Sequence, residues 1–518
     1  MKAKVIDNGN FIQIIDANEI ELKQIYLSFK KRINHWRFHP LVKKKLWDGY
    51  IKFIDKYNRI PIGLWYTLNT ECKKYGFELE FEGIDYIINK QFNQEEFEKW
   101  VWDFFKDSEF GKGGKKELRE YQIQAAADTI KYYKSRSELA TSSGKTIIIF
   151  IILAYLEYKN WAKKHLIIVP NISLIIQTAE AFEEYAKNTP LEGKLKIQLI
   201  GGGNKPKNVE DKNIIIGTFQ SLRNLSKSFF SDIETVCVDE AHYTNSKSVK
   251  NIIIKSFHSK YRFGFSGTLL SDDSAESMTL DAYLGPIVNR ISAKFLILNS
   301  FATPIFVKSL HLDYLDEKTK EKLYNLRKRK GKDIDGGKLL DIEKKIVIEN
   351  KKRFKFICDL LEKTTKNTLV LFYDIKYGYG KKFYHYIREN FSDKIVFYVD
   401  GNTPSEIREE YKLEMENGDN KILIASFGTF STGISINNIH HIFFLESYKS
   451  DKLIRQSIGR GMRLFEGKKK LYIWDFVDDF RYGNIRNLKN NYLYNHGLER
   501  LKIYEKQGFP KKIYKIKI

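Results

Sequence analysis

Short Ile- and Val-rich runs bounded by Gly, Pro and Asn set the rhythm of the chain from about residue 118 onward, alternating with segments of helical spacing. Leu166–Val169, Ile197–Ile200, Ile214–Ile216, Thr235–Val238 and Arg262–Ser266 form a first set. Thr368–Phe372, Val396–Val399, Lys421–Ala425, His441–Leu445 and Leu471–Trp474 form a second. A strand that is apolar on both faces needs a sheet covered on both sides, so the pattern predicts two successive α/β layers with parallel sheets. Ile147–Leu156 is apolar throughout. It is too short to cross a bilayer and predicts a buried helix. Residues 1–108 read differently: strand-like Phe11–Ile15 and Ile51–Ile54, a helical piece around Glu19–Lys30 and an acidic, aromatic helix Gln94–Phe105 predict a small α+β domain. Gly111-Lys112-Gly113-Gly114-Lys115-Lys116 reads as a flexible hinge. Residues 315–356, with the basic run Arg327-Lys328-Arg329-Lys330, read as a solvated helical connector, phosphate contact being the alternative. The expected organisation is 1–108, 109–300 and 301–518.

Composition narrows what such a chain can do. Its 518 residues are 42% hydrophobic and 14% aromatic, enough for several packed cores and too much for a disordered protein. Lys and Arg outnumber Asp and Glu by 88 to 65, a net charge of +23. A chain that basic repels itself or meets a polyanion, and nucleic acid leads, because no long basic amphipathic helix points to a membrane. Cys72, Cys237 and Cys358 are too few and too scattered for a disulfide framework or a thiolate zinc site, which fits a reducing compartment. Met1–Asp7 lacks the apolar core of a signal peptide, so the cytoplasm is the expected location. His35 and His39 stand four apart, but no further ligand lies near enough to make a metal site.

Candidate chemistry clusters after the apolar runs. Leu139-Ala140-Thr141-Ser142-Ser143-Gly144-Lys145-Thr146 leads straight into the apolar helix. A bound phosphate needs N–H groups converging at a helix N-terminus, a Lys for the outer phosphates and a hydroxyl for Mg²⁺. Gly144, Lys145 and Thr146 supply these in order, behind Ser142 and Ser143. Leu139 stands where the G-x-x-x-x-G-K-[ST] pattern has its first Gly, so the match is partial. Asp239-Glu240-Ala241-His242 follows Thr235–Val238. A strand end can set Asp239 beside the phosphate loop to hold Mg²⁺ with Thr146, while Glu240 polarises the attacking water.

Further motifs then fall into a familiar order. Leu118-Arg119-Glu120-Tyr121-Gln122, Ile168-Val169-Pro170-Asn171, Gly217-Thr218-Phe219-Gln220, Ser266-Gly267-Thr268, Leu371-Phe372-Tyr373 and Ser431-Thr432-Gly433-Ile434-Ser435 precede Gln456-Ser457-Ile458-Gly459-Arg460-Gly461-Met462-Arg463. The last matches Gln-x-x-Gly-Arg-x-x-Arg in full, and the whole order resembles the superfamily-two helicases and translocases. Almost the entire chain, including Arg37-Phe38-His39-Pro40, Trp47-Asp48-Gly49, Asn58–Leu64, Gly201-Gly202-Gly203, Phe427–Ser435 and Trp474-Asp475-Phe476-Val477-Asp478-Asp479, is similar to the phage UvsW-type helicases.

That resemblance implies two tandem RecA-like P-loop domains with ATP in the cleft between them, preceded by a small α+β nucleic-acid-binding domain. It implies ATP and Mg²⁺ as cofactors, with Lys145, Asp239, Glu240, Gln456, Arg460 and Arg463 as the catalytic set. Arg119, Gln122, Ser142, Ser143, Gly144, Thr146 and Gly433 would hold the nucleotide. His242, Ser266 and Thr268 would couple it to nucleic acid touched by Pro170, Asn171, Thr218, Gln220 and Thr432. Arg460 and Arg463, three apart, read as sharing one helical face, from which their guanidiniums neutralise the γ-phosphate. The implied activity is ATP-dependent unwinding or branch migration of forks, junctions, D-loops and RNA–DNA hybrids such as R-loops, with strand annealing. The implied setting is a monomer in the infected host's cytoplasm, working beside recombination and replication proteins. Two departures from the wider superfamily stand out: Ser142 replaces the usual Gly, and Ser435 an Asp that contacts ribose.

Residues 30–59 hold ten Lys or Arg and two acids, interleaved with Trp36, Phe38, Trp47, Tyr50, Phe53 and Tyr57. Arg37, Lys43, Lys44, Lys45 and Trp47 are the candidate contacts to nucleic acid. The aromatics either stack on bases or form the small domain's core. Glu499–Ile518 adds seven more Lys or Arg against two Glu, a basic tail. Two rivals remain: a double-strand translocase that moves without separating strands, and a basic annealing protein whose ATP site has lost catalysis.

Overall fold

Both sets of apolar runs become parallel sheets in the computed structural model, which describes residues 1–518 except 205, 207–210, 270–273, 329–334, 374, 434–435 and 484–488 and the side chains of 431–433. Met1–Ile291 and Ser292–Ile518 form two compact units. The first contains a seven-stranded sheet in the order Ile287–Ile291, Lys134–Leu139, Tyr261–Ser266, Thr235–Asp239, His165–Val169, Ile214–Thr218, Ile197–Ile200. Every pairing in it is parallel. The helix Lys145–Tyr158 buries Ile147 through Leu156 without a break, so it is enclosed on all sides as its sequence predicts.

The second unit repeats the architecture. Its sheet runs Ile395–Val399, Lys421–Ser426, Thr368–Phe372, His441–Phe444, Leu471–Asp479, Ile305–Asp313, Lys511–Lys517, again all parallel. The basic tail therefore runs from the end of the helix Tyr492–Lys506 into the edge strand Lys511–Lys517, paired to Ile305–Asp313. Part of its charge is used internally. Arg500 is fully buried and donates to Asp475 at 2.8 Å, and Lys502 and Lys511 pair with Glu499 and Glu505. The charged connector is likewise only partly solvated. Its helices Glu317–Lys328 and Gly336–Glu349 bury Lys320 and Glu343, and Glu343 accepts from Arg327, Asn491 and the backbone of Leu493. Arg329 and Lys330 lie outside the described residues.

Ahead of the first large sheet sits a small mixed one in the order Arg59–Pro61, Phe11–Asp16, Lys2–Ile6, Glu80–Glu82. The helices Glu19–Ser28 and Trp65–Lys74 complete it, the former opened by a capping box between Asn18 and Glu21. Its core of Ile12, Ile14, Ile25, Phe29, Leu64 and Leu68 continues into Met278 and Ala282 of the helix Ala275–Leu284. Gly63 approaches so closely that a Cβ there would fall 2.0 Å from the Asp281 carbonyl oxygen. Only glycine permits that contact.

Two expectations fail here for identifiable reasons. The helix Gln94–Phe105 does not close the small domain. Its Phe97, Val101, Phe104 and Phe105 pack with Phe150, Tyr155 and Phe182 in the core beneath the large sheet. Residues 111–116 are no flexible hinge either. Gly111 is buried, Lys116 N–H donates to Glu109 O at 2.8 Å and Leu118 N–H to Phe110 O at 2.9 Å, and the Lys116 ammonium joins Glu109 to Glu184.

Candidate active site

The C-terminal ends of parallel strands converge on one edge of a sheet, where loops can present polar groups without spending core positions. Leu139 ends the strand Lys134–Leu139 and is buried, which explains why a large apolar residue stands where the phosphate-loop pattern has Gly. Ser142 (φ 73°) and Gly144 (φ 83°) then turn the chain through left-handed conformations into the helix beginning at Lys145. The first intrahelical bond runs from Ile148 N–H to Gly144 O, so the N–H groups of residues 145–147 face the loop at the positive end of the helix. A Cβ on Gly144 would lie 2.1 Å from Gln122 Nε2. Gln122 donates to Ser143 O at 3.0 Å and accepts from Arg119 N–H at 3.0 Å, and Tyr121 Oη donates to the same Ser143 carbonyl at 2.8 Å.

Lys145 Nζ lies 2.6 Å from Asp239 Oδ1 and 3.1 Å from Glu240 Oε1. Burial works against its charge, but the two carboxylates outweigh burial and hold the ammonium above its ordinary range. Burial pushes the Glu240 carboxyl up, yet Lys145 and His242 overcome it and bring its pKa to about 2. Glu240 itself sits at φ 54°, a strained setting for a residue with a Cβ. Ser266 Oγ donates to Glu240 Oε2 at 3.0 Å and accepts from Thr268 N–H at 3.2 Å, and His242 Nδ1 lies 2.9 Å from Ser266 Oγ. The phosphate loop, the Asp-Glu-x-His segment and Ser266-Gly267-Thr268 are thus one bonded network. Ser143 Oγ is buried without a hydrogen-bond partner among the described residues. An unpartnered hydroxyl, three inward N–H groups and a lysine paired with two carboxylates together fit a bound polyphosphate, and Thr146 and Asp239 are oxygen donors of the kind Mg²⁺ takes.

In the second unit, Gln456 and Arg460 lie on the helix Asp451–Gly461, with Arg460 over the Phe430 ring at 5.9 Å. Arg463 does not share that face. The helix stops at its C-cap Met462, and Arg463 lies in the turn beyond, its carbonyl accepting from Thr303 Oγ1 at 3.0 Å.

Comparison with known proteins decides what this arrangement is. Residues 115–271 match the type III restriction enzyme res subunit, and residues 352–465 the helicase conserved C-terminal domain. The chain is 31% identical over 512 residues to the ATP-dependent DNA helicase uvsW of Enterobacteria phage T4, covering 96% of this chain and 95% of that one. It belongs to the UvsW-type superfamily-two helicases. It is 23% identical over 378 residues to the DNA 3'-5' translocase XPB2 of Sulfurisphaera tokodaii, covering 67% of this chain and 79% of that one. The fold is shared with the ATP-dependent type ISP restriction-modification enzyme LlaBIII bound to DNA, with TM-score 0.54 and 17% identity over 78% of this chain and 31% of that one. The chain is therefore an ATP-dependent helicase.

The residues this helicase would turn toward nucleic acid have structural duties as well. Asn171 caps the helix Ile172–Ala186 and Thr218 caps Phe219–Leu222, each at a strand's C-terminal end, with Pro170 half-buried and Gln220 exposed. The side chain of Thr432 and the surroundings of Gly433, and all of Ile434 and Ser435, lie outside the described residues. In the N-terminal part, an antiparallel ribbon pairs Lys30–Arg32 with Tyr50–Lys52 and carries an arm, residues 33–49, in which Gly49 alone is buried. Arg37, Lys43, Lys44 and Lys45 are exposed on it, beside the apolar Phe38 at 71% and Leu46 at 72% exposure. Of the six aromatics only Phe53 belongs to the core. Trp36 and Tyr50 instead face the Arg32 guanidinium at 3.9 and 4.3 Å, and Trp47 Nε1 donates to Tyr50 O at 3.0 Å. Tyr121 carried no assigned role in the sequence, although its place beside Gln122 was the available signal.

Proposed function

We propose that this helicase spends ATP to unwind or branch-migrate DNA at forks, junctions and D-loops, and to displace RNA from RNA–DNA hybrids, in phage recombination, repair and replication-fork rescue. The reading rests above all on the bonded network joining Lys145, Asp239, Glu240, Ser266 and His242. Nucleotide contact and a signal to the nucleic-acid side share these atoms. In this reading Lys145 leaves its carboxylates for the ATP phosphates. Glu240 then loses its strongest counter-charge, its basicity rises, and it orients the water that attacks the γ-phosphate. Mg²⁺, held by Thr146 and Asp239, would neutralise phosphate charge during transfer. Ser266 and His242 feel the change at Glu240 through their hydrogen bonds, and Arg460 and Arg463 supply further positive charge to the transition state. Exposed Arg37, Lys43, Lys44 and Lys45 would contact phosphates, with Trp47 supporting their arm.

The test is ATP turnover and strand displacement measured on single-stranded, duplex and branched DNA and on RNA–DNA hybrid. Lys145→Ala abolishes turnover, Glu240→Gln traps ATP with nucleic acid held tightly, and Arg460→Ala binds ATP without hydrolysing it. Full turnover in any of the three overturns the assignment of that residue. Turnover that rises with duplex while strand displacement stays flat replaces unwinding by translocation along intact duplex.

A further inference from the structure

Within the first unit, where the small sheet meets the large one, lies a cavity of about 900 Å³. It opens at the N-terminal ends of the large sheet's strands, the edge opposite the phosphate loop, since Arg262 is the second residue of Tyr261–Ser266. Phe53, Phe257 and Tyr283 wall it, and Lys52, Lys250 and Arg262 line it. None of these three cations has an ion pair among the described residues, and the one carboxylate that acts on Lys250 from further off, Glu276, is outweighed by burial. Arg262 is almost fully buried and donates only to neutral oxygens, those of Ser259, Asn10 and Phe257 at 3.0–3.1 Å. Of the two acids in the lining, Asp55 is committed to Arg59 at 2.8 Å, which leaves Asp7. Lys134, also buried and close to Arg262, bonds the Gly9 carbonyl, and burial together with the Arg262 charge pushes its ammonium well below the ordinary lysine range. Uncompensated positive charge is costly in an apolar cleft, and burial alone lowers the Arg262 guanidinium to about 10. A ligand that brings a phosphate to the cations and a flat ring to the aromatics removes that cost, and the volume lies in the range of small-molecule pockets.

We propose that this cavity binds a nucleotide, its phosphate toward Arg262, Lys250 and Lys52 and its base on the Phe257 and Tyr283 wall. The nucleotide comes either free or as a link of a strand. The assay is calorimetric titration of the full chain, saturated with ADP to fill the phosphate loop, with dTMP and separately with a fifteen-residue oligo-dT. Arg262 is too buried to alter cleanly, so the variant is Lys52→Ala with Lys250→Ala, melting temperature serving as the folding control. The expected result is a loss of affinity of about 10-fold or more and a shallower salt dependence. Loss for oligo-dT alone assigns the site to a strand, and loss for dTMP as well assigns it to a free nucleotide. Unchanged affinity for both in a folded variant overturns the proposal.

A separate observation concerns the second unit. Lys468, buried at 8% exposure, donates to three carbonyls: Gly461 O at 2.6 Å, Arg463 O at 3.0 Å and Asn437 O at 2.9 Å. Two of these belong to the end of the Asp451–Gly461 helix and the turn after it, where the backbone dipole is negative. Thr303 grips the same turn from Met462 O and Arg463 O. The charged and titratable groups that face Lys468 are Glu416, which binds Asn437 N–H at 2.6 Å, Arg463 and His440. We infer that Lys468 is a positioning residue that holds the Arg463 turn in its hydrolysis-competent form, an inference resting on the proposed role of Arg463. Burial lowers the ammonium to about 7, so its third hydrogen bond is lost as pH rises. Lys468→Met is expected to cut kcat about 10- to 100-fold with KM for ATP little changed. Lys468→Arg is expected to restore it and to remove an alkaline limb that the parent protein shows between pH 6 and 10. A Lys468→Met kcat within about twofold of the parent, or no rescue by Lys468→Arg in a folded protein, overturns the inference. Full turnover in Arg463→Ala overturns instead the reading on which it rests.

Discussion

Ser142 shows how much a single position in the phosphate loop must tolerate. A residue with a Cβ at φ 73° costs about 1–2 kcal/mol relative to glycine. Ser142→Gly is therefore expected to raise stability by about 1 kcal/mol without loss of turnover, and Ser142→Val to raise KM for ATP at least tenfold. Melting curves and ATPase titrations check both. Two buried histidines, His165 and His496, and the half-buried His441 make a second expectation. Burial pushes His165 down to about 3 and His441 and His496 to about 4, so all three stay neutral in the fold well below the pH at which the unfolded chain protonates them. Their stabilising contribution is complete above pH 6.5 and is lost as pH falls toward 4, by up to about 1.4 kcal/mol per pH unit for each histidine. Melting temperature followed from pH 7.5 to 4.5 measures it, and a flat profile contradicts it. At this scale the family was readable, because the order of its motifs lies in the residue sequence alone. The pairing of Lys145 with Asp239 and Glu240 and the place of Arg463 outside its helix were not, since both depend on where the backbone turns.

Among elements, the strand Lys134–Leu139 is the one whose sequence conceals it most. Lys-Ser-Arg-Ser-Glu-Leu has no apolar run, yet five of its six residues are buried. Most of its polar groups find partners outside the strand: Arg136 bonds the distant Asp281 and Gly285 O, and Ser135 and Ser137 bond Thr129 O and Oγ1 of the preceding helix, while Arg136 Nη1 has no partner among the described residues. Hydrophobic periodicity cannot report a strand stabilised this way. The helix Gln94–Phe105 shows the opposite limit. Its apolar face was legible, but not which core it would join. Two of the three carboxylates buried on the strand Leu471–Asp479 pair with fully buried guanidiniums, Asp475 with Arg500 and Asp478 with Arg353, at 2.7 Å in each pair. These pairs give the Trp474–Asp479 motif a role in holding the second unit's helices to its sheet. Asp478→Asn, which leaves the Arg353 charge buried and uncompensated, is expected to cost about 3–5 kcal/mol in urea unfolding.

For the whole molecule, the shared core of the small sheet and Met278 and Ala282 decides how the N-terminal part can be tested. Deleting residues 1–108 would remove Phe97, Val101, Phe104 and Phe105 from the core under the large sheet and expose what they cover. Shortening the arm alone avoids this, because Arg32 and Tyr50 already face each other across the antiparallel ribbon. A two-residue turn in place of residues 33–49 is expected to leave melting unchanged within a few degrees. It should weaken binding to forked DNA more than to single strands, and equal losses on both would deny the arm a preference for branches.

The pairing of Lys511–Lys517 with Ile305–Asp313 also fixes an order of events during synthesis. Val307 and its partner Lys511 are separated by some two hundred positions. At ribosomal rates of about 5–20 residues per second, the edge of the earlier strand waits roughly 10 to 40 seconds for its neighbour. By then the sheet of residues 1–291 has all its strands, so the first unit can mature while the second still presents an open edge to chaperones and to other nascent chains.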